Sequence, residues 1–219
     1  MKAARRTAAI LIIAAYILMV THDLFYGRLF VGGDGTKLFG VFCCVVLAWL
    51  GFLGRRSQTG ALLCAAMTLT LCADVFLIFI PSLYTVGIAV FCLAQTARIV
   101  QFTSVSLKQA GWIVLSEIAA AAGLALLGVA PFYAVGGVYA VLIITAAALA
   151  FARAAAKPTA LRRRAGMVLF LLCDVCVLIC NVSPRGGIAY RAAALIWLFY
   201  LPSQLILASE KADKSAAKK

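Results

Sequence analysis

Charged residues and histidine are scarce in this chain of 219 residues, and their scarcity excludes several classes of protein. Charged residues make up 12% of the sequence, whereas hydrophobic residues make up 65% and the mean hydropathy is +1.08. A soluble domain of this length does not need so much apolar surface, so the composition indicates a polytopic, all-α membrane protein. A Ser-His-Asp triad is not expected, because the single histidine, His22, is predicted near a membrane edge. No Gly-rich phosphate loop, Gly-x-Ser-x-Gly motif or His-Glu-x-x-His motif is present.

Basic residues are the exception to this shortage of charge. Lysine and arginine number 20 against 7 acidic residues, and the net charge is +13. Such a charge could indicate a nucleic-acid partner, but the basic residues fall mainly in loops and tails between apolar runs, so no nucleic acid is expected. If the N-terminus is cytoplasmic, most basic residues lie on the cytoplasmic side. The positive-inside rule therefore predicts that both termini are cytoplasmic.

Eight apolar runs are long enough to cross a hydrocarbon core of about 30 Å. They cover approximately residues 8–26, 37–53, 61–80, 84–102, 111–130, 132–152, 165–182 and 191–208. The break between the fifth and sixth runs is predicted from Gly128, Pro131 and the pair Gly136 and Gly137. Because no small-residue cleavage site follows the first run, we interpret it as an uncleaved helix. Residues 1–208 are thus predicted to form one transmembrane domain, and residues 209–219 a Lys/Ala-rich cytoplasmic tail.

All 8 cysteines fall within these predicted spans, which argues against an extracellular disulfide framework. Cys173, Cys176 and Cys180 share one helical face and could be read as metal ligands. We interpret them as small, polarizable packing residues, and we expect no metal.

Two aspartates, Asp74 and Asp174, lie inside apolar spans in similar local sequences. The first segment reads LCADVFLI over residues 71–78, and the second reads LCDVCVLI over residues 172–179. A charged side chain at the bilayer centre costs about 2.5–3.5 kcal/mol on insertion scales, and such residues usually mark a site or a relay. The match predicts two parallel four-helix repeats, near residues 1–103 and 104–208, and one site shared by both aspartates. The alternative is a coincidence in low-complexity apolar sequence.

Further polar residues recur at helical spacing and extend the predicted site. They are Gln95 beside Phe91 and Arg98 in the fourth span, Asn181 on the face of Asp174 in the seventh, and Tyr200 and Gln204 beside Trp197 in the eighth. We predict that these faces converge on a polar interior, with helix–helix hydrogen bonding as the alternative. Lys37 lies at the outer edge of the second span. Its side chain either extends to the membrane–water interface or contacts a phosphate. Arg98 and Glu117 could form a buried ion pair, which we interpret as structural rather than functional.

The sequence resembles the lysoplasmalogenase-like, or YhhN-like, family of integral membrane proteins with eight helices. The family pattern Phe-x-x-Ser-Asp is similar to residues 170–174, where Cys173 replaces serine. The family pattern Tyr-x-x-Ala-Gln is similar to residues 200–204, where Ser203 replaces alanine, and Leu205 and Ile206 follow. Asp74 matches the aspartate of a Ser-x-x-Gly-Asp pattern, and Lys37 matches the lysine of a Lys-Pro pattern. Gln95 stands where the family has histidine.

This resemblance implies a hydrolase that cleaves the vinyl-ether bond of a lysoplasmalogen to a fatty aldehyde and a glycerophospho-headgroup. It implies that Asp74 and Asp174 are the catalytic carboxyls, one of which acts as a general acid, and that no cofactor is needed. The residues expected to bind substrate are Lys37, Gln95, Asn181, Tyr200 and Gln204. The expected partners are the lysophospholipid substrate and the lipids of the plasma membrane.

Two other functions stay open at this point. A proton-coupled transporter would also have internal repeats and carboxylates near the membrane midplane, although Pro202 is the one proline predicted inside a span. A diverged family member could instead bind lipid without turnover, and the glutamine at position 95 motivates this reading.

Overall fold

The structure, a computed structural model, describes residues 2–25, 33–54, 56–103, 105–152, 158–183 and 187–210. Within these ranges the chain forms eight α-helices and no strand, which confirms the all-α prediction. The helices are α1 (Lys2–Phe25), α2 (Gly33–Gly54), α3 (Gln58–Phe79), α4 (Tyr84–Thr103), α5 (Leu107–Leu126), α6 (Pro131–Ala152), α7 (Pro158–Val182) and α8 (Gly187–Ala208). A single 3₁₀ turn, Pro81–Leu83, connects α3 to α4.

Seven of the helices in the described ranges are long and apolar enough to cross a membrane, and α1 contains a shorter apolar stretch, Arg6–Thr21. The chain is therefore a multi-pass membrane protein, whereas the cytoplasmic location of its termini stays a prediction. Several helices are longer than the predicted spans, and α7 begins at Pro158 rather than near residue 165. Backbone hydrogen bonding continues into the polar flanks of a helix, while hydropathy detects only its apolar part. Residues 211–219 of the predicted tail lie outside the described residues.

Local signals in the sequence account for several helix ends. Ser57 caps α3, where its hydroxyl accepts a hydrogen bond from the backbone N–H of Gly60 at 3.1 Å. Ser106 and Gln109 form a capping box at the start of α5. Ile80 caps the end of α3 and Pro81 comes next, where its missing N–H favours the interruption between α3 and α4.

The predicted break between the fifth and sixth spans is confirmed. Gly128 has φ +86°, a left-handed conformation that glycine adopts readily. The N–H of Gly128 and that of Val129 bond to carbonyls in the last turn of α5, which is the pattern of a Schellman motif. Pro131 then opens α6, whereas Gly136 and Gly137 lie inside α6 and do not contribute to the break.

The described helices group into two compact units. Unit 1 contains α1, α2, α7 and α8, and unit 2 contains α3 to α6. In unit 1, α8 packs against α7, α2 and α1, and in unit 2, α4 packs against α3, α5 and α6. This grouping does not follow the predicted halves, because unit 1 combines the first two helices of the chain with the last two. The internal repeat stays a prediction from the sequence.

Glycines allow α8 to approach two neighbouring helices closely within unit 1. A Cβ added to Gly166 of α7 would lie 2.7 Å from Cγ of Leu207. The carbonyl of Gly166 also accepts a hydrogen bond from the hydroxyl of Ser203 at 2.9 Å. On the α2 side, a Cβ added to Gly40 would lie 2.8 Å from Cδ2 of Leu201. Small residues therefore set the helix spacing, as is common between membrane helices.

We expect Gly166→Ala to lower the free energy of unfolding by about 1–3 kcal/mol, because the added methyl group overpacks the contact between α7 and α8. Gly123→Ala in α5 is the matched control. A Cβ there meets no heavy atom of the described residues within 4 Å, and alanine is the better helix former. Thermal unfolding in detergent measures both variants. A melting temperature for Gly166→Ala as high as that of Gly123→Ala would contradict the close packing.

Candidate functional site

The helix face that carries Asp74 packs against α4 in unit 2. Near the start of α3, Nη2 of Arg98 donates a hydrogen bond to Sδ of Met67 at 3.6 Å. Near the end of α3, a Cβ added to Gly87 would lie 2.8 Å from Cδ2 of Leu77. These two contacts show that α3 and α4 are antiparallel, and they define the register between them.

This register brings polar residues of α3 and α4 to the same height along the two helix axes. Thr70 is level with Gln95, and Asp74, one turn farther along α3, is level with Phe91. The side chain of Asp74 is 5% exposed, and those of Thr70 and Gln95 are 0% exposed. Phe91 also packs against the ring of Tyr139 in α6, with 5.8 Å between the ring centroids. A carboxyl, an amide and a hydroxyl are therefore all buried within unit 2.

Glu117 of α5 takes part in a separate polar contact. Its carboxyl group accepts a hydrogen bond from the hydroxyl of Thr96. The predicted partner of Glu117 was Arg98, but the structure shows a different partner for each of these two residues. The reason is the helical period: positions 96 and 98 lie on different sides of α4, so that Thr96 faces α5 and Arg98 faces α3.

Asp174 lies beside an aromatic segment of α8 in unit 1. The rings of Phe170 and Tyr200 pack with 5.7 Å between their centroids, across the contact between α7 and α8. Asp174 is one turn farther along α7. Because the two helices are antiparallel, Asp174 is level with Trp197, about one turn before Tyr200. The side chain of Asp174 is half-buried.

Lys37 of α2 approaches the same segment of α8. Its Nζ lies 5.5 Å from the centroid of the Trp197 ring, within the range of a cation–π contact. The same Nζ is 3.3 Å from Oδ1 of Asp34, whose side chain is exposed. The centroids of the Trp197 and Tyr200 rings are 5.1 Å apart. Unit 1 thus combines a cation with two aromatic rings near the level of Asp174.

The other predicted binding residues of unit 1 differ in their burial. Tyr200 and Gln204 are buried on the packed face of α8. Asn181 is exposed, and its Nδ2 donates to the carbonyl of Val177 in the same helix at 2.9 Å. Asn181 therefore does not extend the buried polar face that the sequence predicted, and its role in binding stays a prediction.

The predicted site residues are divided between the two units. Unit 1 holds Lys37, Asn181, Asp174, Tyr200 and Gln204, and unit 2 holds Asp74 and Gln95. A single site shared by both aspartates stays a prediction from the sequence. Within the described ranges, no group of three or more His, Cys, Asp or Glu side chains could hold a metal ion.

Two contacts between helices were not predicted from the sequence. These are the contact of Lys37 with Trp197 and the bond of Thr96 to Glu117. The helical period identified the face of α8 on which Trp197 lies. It does not predict which residue of another helix contacts that face. Thr96 carried no signal of its own, since it lies outside the polar face of Gln95 and Arg98.

Comparison with known proteins identifies one family. The model of the YhhN family matches residues 32–210 of the chain, a range that includes α2 to α8 and both aspartates. No curated protein and no solved structure matches the chain.

We expect Thr96→Val to lower the free energy of unfolding by about 1–3 kcal/mol, because the buried carboxyl of Glu117 loses its hydrogen-bond donor. Glu117→Gln keeps an acceptor for the Thr96 hydroxyl and should cost less. Thermal unfolding in detergent provides the comparison. If Thr96→Val lowers the free energy of unfolding no more than Glu117→Gln does, the bond between Thr96 and Glu117 does not stabilise unit 2.

Proposed function

The chain belongs to the YhhN family, and from this premise we propose that it is a membrane hydrolase that cleaves the vinyl-ether bond of a lysoplasmalogen. The observation that carries the proposal is the presence of two carboxyls, Asp74 and Asp174, at buried and half-buried positions in helices that span the membrane. Burial of ionisable groups in hydrocarbon is costly, and they are rare there unless they have a function. The resemblance of the surrounding motifs to those of lysoplasmalogenases supports the choice of reaction.

Vinyl-ether cleavage consumes one water molecule and needs an acid. The acid protonates the vinyl carbon that is not bonded to oxygen, and the π electrons of the double bond form the new C–H bond. The adjacent carbon becomes part of an oxocarbenium ion, to which water adds with loss of a proton to a carboxylate. The resulting hemiacetal breaks its bond to the glycerol oxygen, which takes up a proton. The products are a fatty aldehyde and a glycerophospho-headgroup.

Two carboxyls suit these steps chemically. A neutral carboxylic acid supplies the first proton, and an ionised carboxylate stabilises the cation and accepts the proton of water. An apolar environment strengthens both effects, because electrostatic interactions are stronger where the dielectric constant is low. We assign these roles to Asp74 and Asp174. General acid–base catalysis of this kind contributes typically about 10²–10⁴-fold to a rate.

Lys37 is our candidate for contact with the phosphate of the headgroup. Its side chain is 18% exposed, so that it is partly covered but still within reach of a ligand. An ammonium group binds phosphate as a point charge, and the exposed Asp34 is a partner that a phosphate can replace. Gln95, Asn181, Tyr200 and Gln204 are the further candidates for substrate contact, as the sequence analysis predicted.

A proton-coupled transporter is the second candidate, because intramembrane carboxyls also occur in carriers. Carriers commonly bind their substrates at interrupted helices. In the described part of the chain, Pro202 of α8 is the one proline inside a helix, and α8 continues through it. This continuity favours hydrolysis over transport.

We expect Asp74→Asn and Asp174→Asn each to reduce aldehyde release by about 10²–10⁴-fold, because an amide cannot donate or accept the proton. The assay uses the purified protein in lipid nanodiscs with a vinyl-ether lysophospholipid. Glu117→Gln is the matched control, since it also converts a buried carboxyl of a membrane helix to an amide. Its aldehyde release should stay near that of the unmodified protein.

Three outcomes would contradict the proposal, the first in its site and the other two in its reaction. Unchanged release in both aspartate variants would show that neither carboxyl takes part in the reaction. Lipid binding without any release by the unmodified, folded protein would identify a diverged lipid-binding member of the family. Gradient-driven movement of a solute in proteoliposomes, with no aldehyde formed, would favour a transporter.

We expect Lys37→Met to raise KM for the lysophospholipid by about tenfold with kcat unchanged, which corresponds to about 1.4 kcal/mol of binding free energy. Lys37→Arg, which keeps the positive charge, should retain most of the affinity. Lys108→Met removes an exposed lysine of α5 and serves as the control. A fall in kcat with KM unchanged would argue against a role in binding the headgroup.

A further inference from the structure

Two residues of unit 2 together carry three buried polar atoms that have no hydrogen-bond partner among the residues that the structure describes. They are Oγ1 of Thr70 and both Nε2 and Oε1 of Gln95. Both side chains are fully buried. In native proteins nearly all buried polar groups pair with another protein group or with an ordered water molecule. The three atoms therefore point to a polar ligand inside the unit.

The packing of α3 against α4 brings these atoms to one place. Thr70 lies one turn after Met67 on α3, and Gln95 lies one turn before Arg98 on α4. Because Met67 and Arg98 contact each other, Thr70 and Gln95 lie on neighbouring turns of the two packed helices. The two side chains do not bond to each other, and one small polar molecule between them would satisfy both.

The donors and acceptors of these atoms fit one water molecule. Nε2 of the glutamine amide donates, Oε1 accepts, and the threonine hydroxyl can do either. A buried water typically makes about three hydrogen bonds, and it both donates and accepts. A cation would meet the N–H donors of the amide, and an anion would meet its carbonyl oxygen, so a neutral molecule suits the set better.

We propose that Thr70 and Gln95 hold a water molecule that is the nucleophile of the hydrolysis. The nucleophilic role rests on the proposed function, whereas the water site rests on burial and hydrogen bonding alone. Asp74 lies one turn beyond Thr70 on the same face of α3, which places its carboxylate as the group that receives the proton of this water. Thr70 and Gln95 are then the residues that position the water.

The proposed step conserves atoms and charge. The water oxygen forms a bond to the carbon of the oxocarbenium ion, while one of its O–H bonds breaks and that proton passes to Asp74. When the hemiacetal breaks its bond to the glycerol oxygen, Asp74 returns the proton to that oxygen. The hydroxyl proton of the hemiacetal restores the acid that began the reaction.

The first test is a thermal unfolding cycle of Thr70→Val, Gln95→Leu and the double variant, purified in nanodiscs without substrate. Each single variant should lower the melting temperature by about 2–4 °C, because it leaves the water and the remaining polar side chain with too few partners. The double variant removes both polar side chains and should recover most of this loss. If the changes in melting temperature of the single variants add in the double variant, no molecule bridges the pair and the water site is overturned.

The second test measures steady-state aldehyde release by the same variants. Thr70→Val should lower kcat at least tenfold with KM unchanged, since it displaces the water and leaves lipid binding intact. Gln95→Leu should lower kcat to a similar extent, because it removes the other group that holds the water. Thr70→Ser keeps the hydroxyl and should restore kcat. Thr68→Val makes the same chemical change on another face of α3 and is the control. An unchanged kcat in both Thr70→Val and Gln95→Leu would overturn the role of this water as the nucleophile.

The two tests separate a failure of this inference from a failure of the proposed function. If the unmodified protein releases aldehyde but the changes in melting temperature of the two single variants add in the double variant, the water site is wrong and the hydrolase proposal stands. If the changes in melting temperature are non-additive but the unmodified protein releases no aldehyde, the hydrolase proposal and the nucleophilic role of the water fail together. Non-additive melting temperatures with a fall in kcat support the full inference.

Discussion

Hydrocarbon offers no hydrogen bonds, and the rest of this structure depends on that constraint. Backbone groups satisfy it within helices, which explains why the described chain is helical almost throughout. Polar side chains satisfy it through partners on neighbouring helices. Glu117 bonds to Thr96, and Ser203 bonds to the carbonyl of Gly166. Gln95 is fully buried and has no such partner among the described residues, so we connect it with a reaction rather than with packing.

Both units place an aspartate on a helix that packs antiparallel against the next helix of the chain. In unit 2 the carboxyl of Asp74 is level with Phe91, and in unit 1 that of Asp174 is level with Trp197. Each carboxyl thus has an aromatic ring at its own level, which adds apolar surface beside an acidic group. Such surroundings strengthen the electrostatic stabilisation of a cation. The proposed oxocarbenium chemistry would benefit from this effect.

Gln95 has a physical consequence for the proposed mechanism. The family has histidine at this position, and histidine titrates near neutral pH. A glutamine amide does not titrate there, but it offers one acceptor and two N–H donors. It can therefore orient a water molecule while another group carries the proton. Proton transfer then depends on the carboxyls, and the amide supplies geometry.

Local patterns in the sequence were enough to predict the all-α membrane fold, the number of helices and the break at Gly128, because span length and turn chemistry depend on neighbouring residues. Membership of the YhhN family also followed from short motifs, and the family match confirms it. The partners of each helix could not be predicted in this way. Periodicity identifies a polar helix face, such as that of Arg98 or Asn181. It does not predict which residues or which solvent that face contacts. The folded chain shows that Arg98 contacts Met67 and that Asn181 is exposed, because packing between distant segments determines these neighbours.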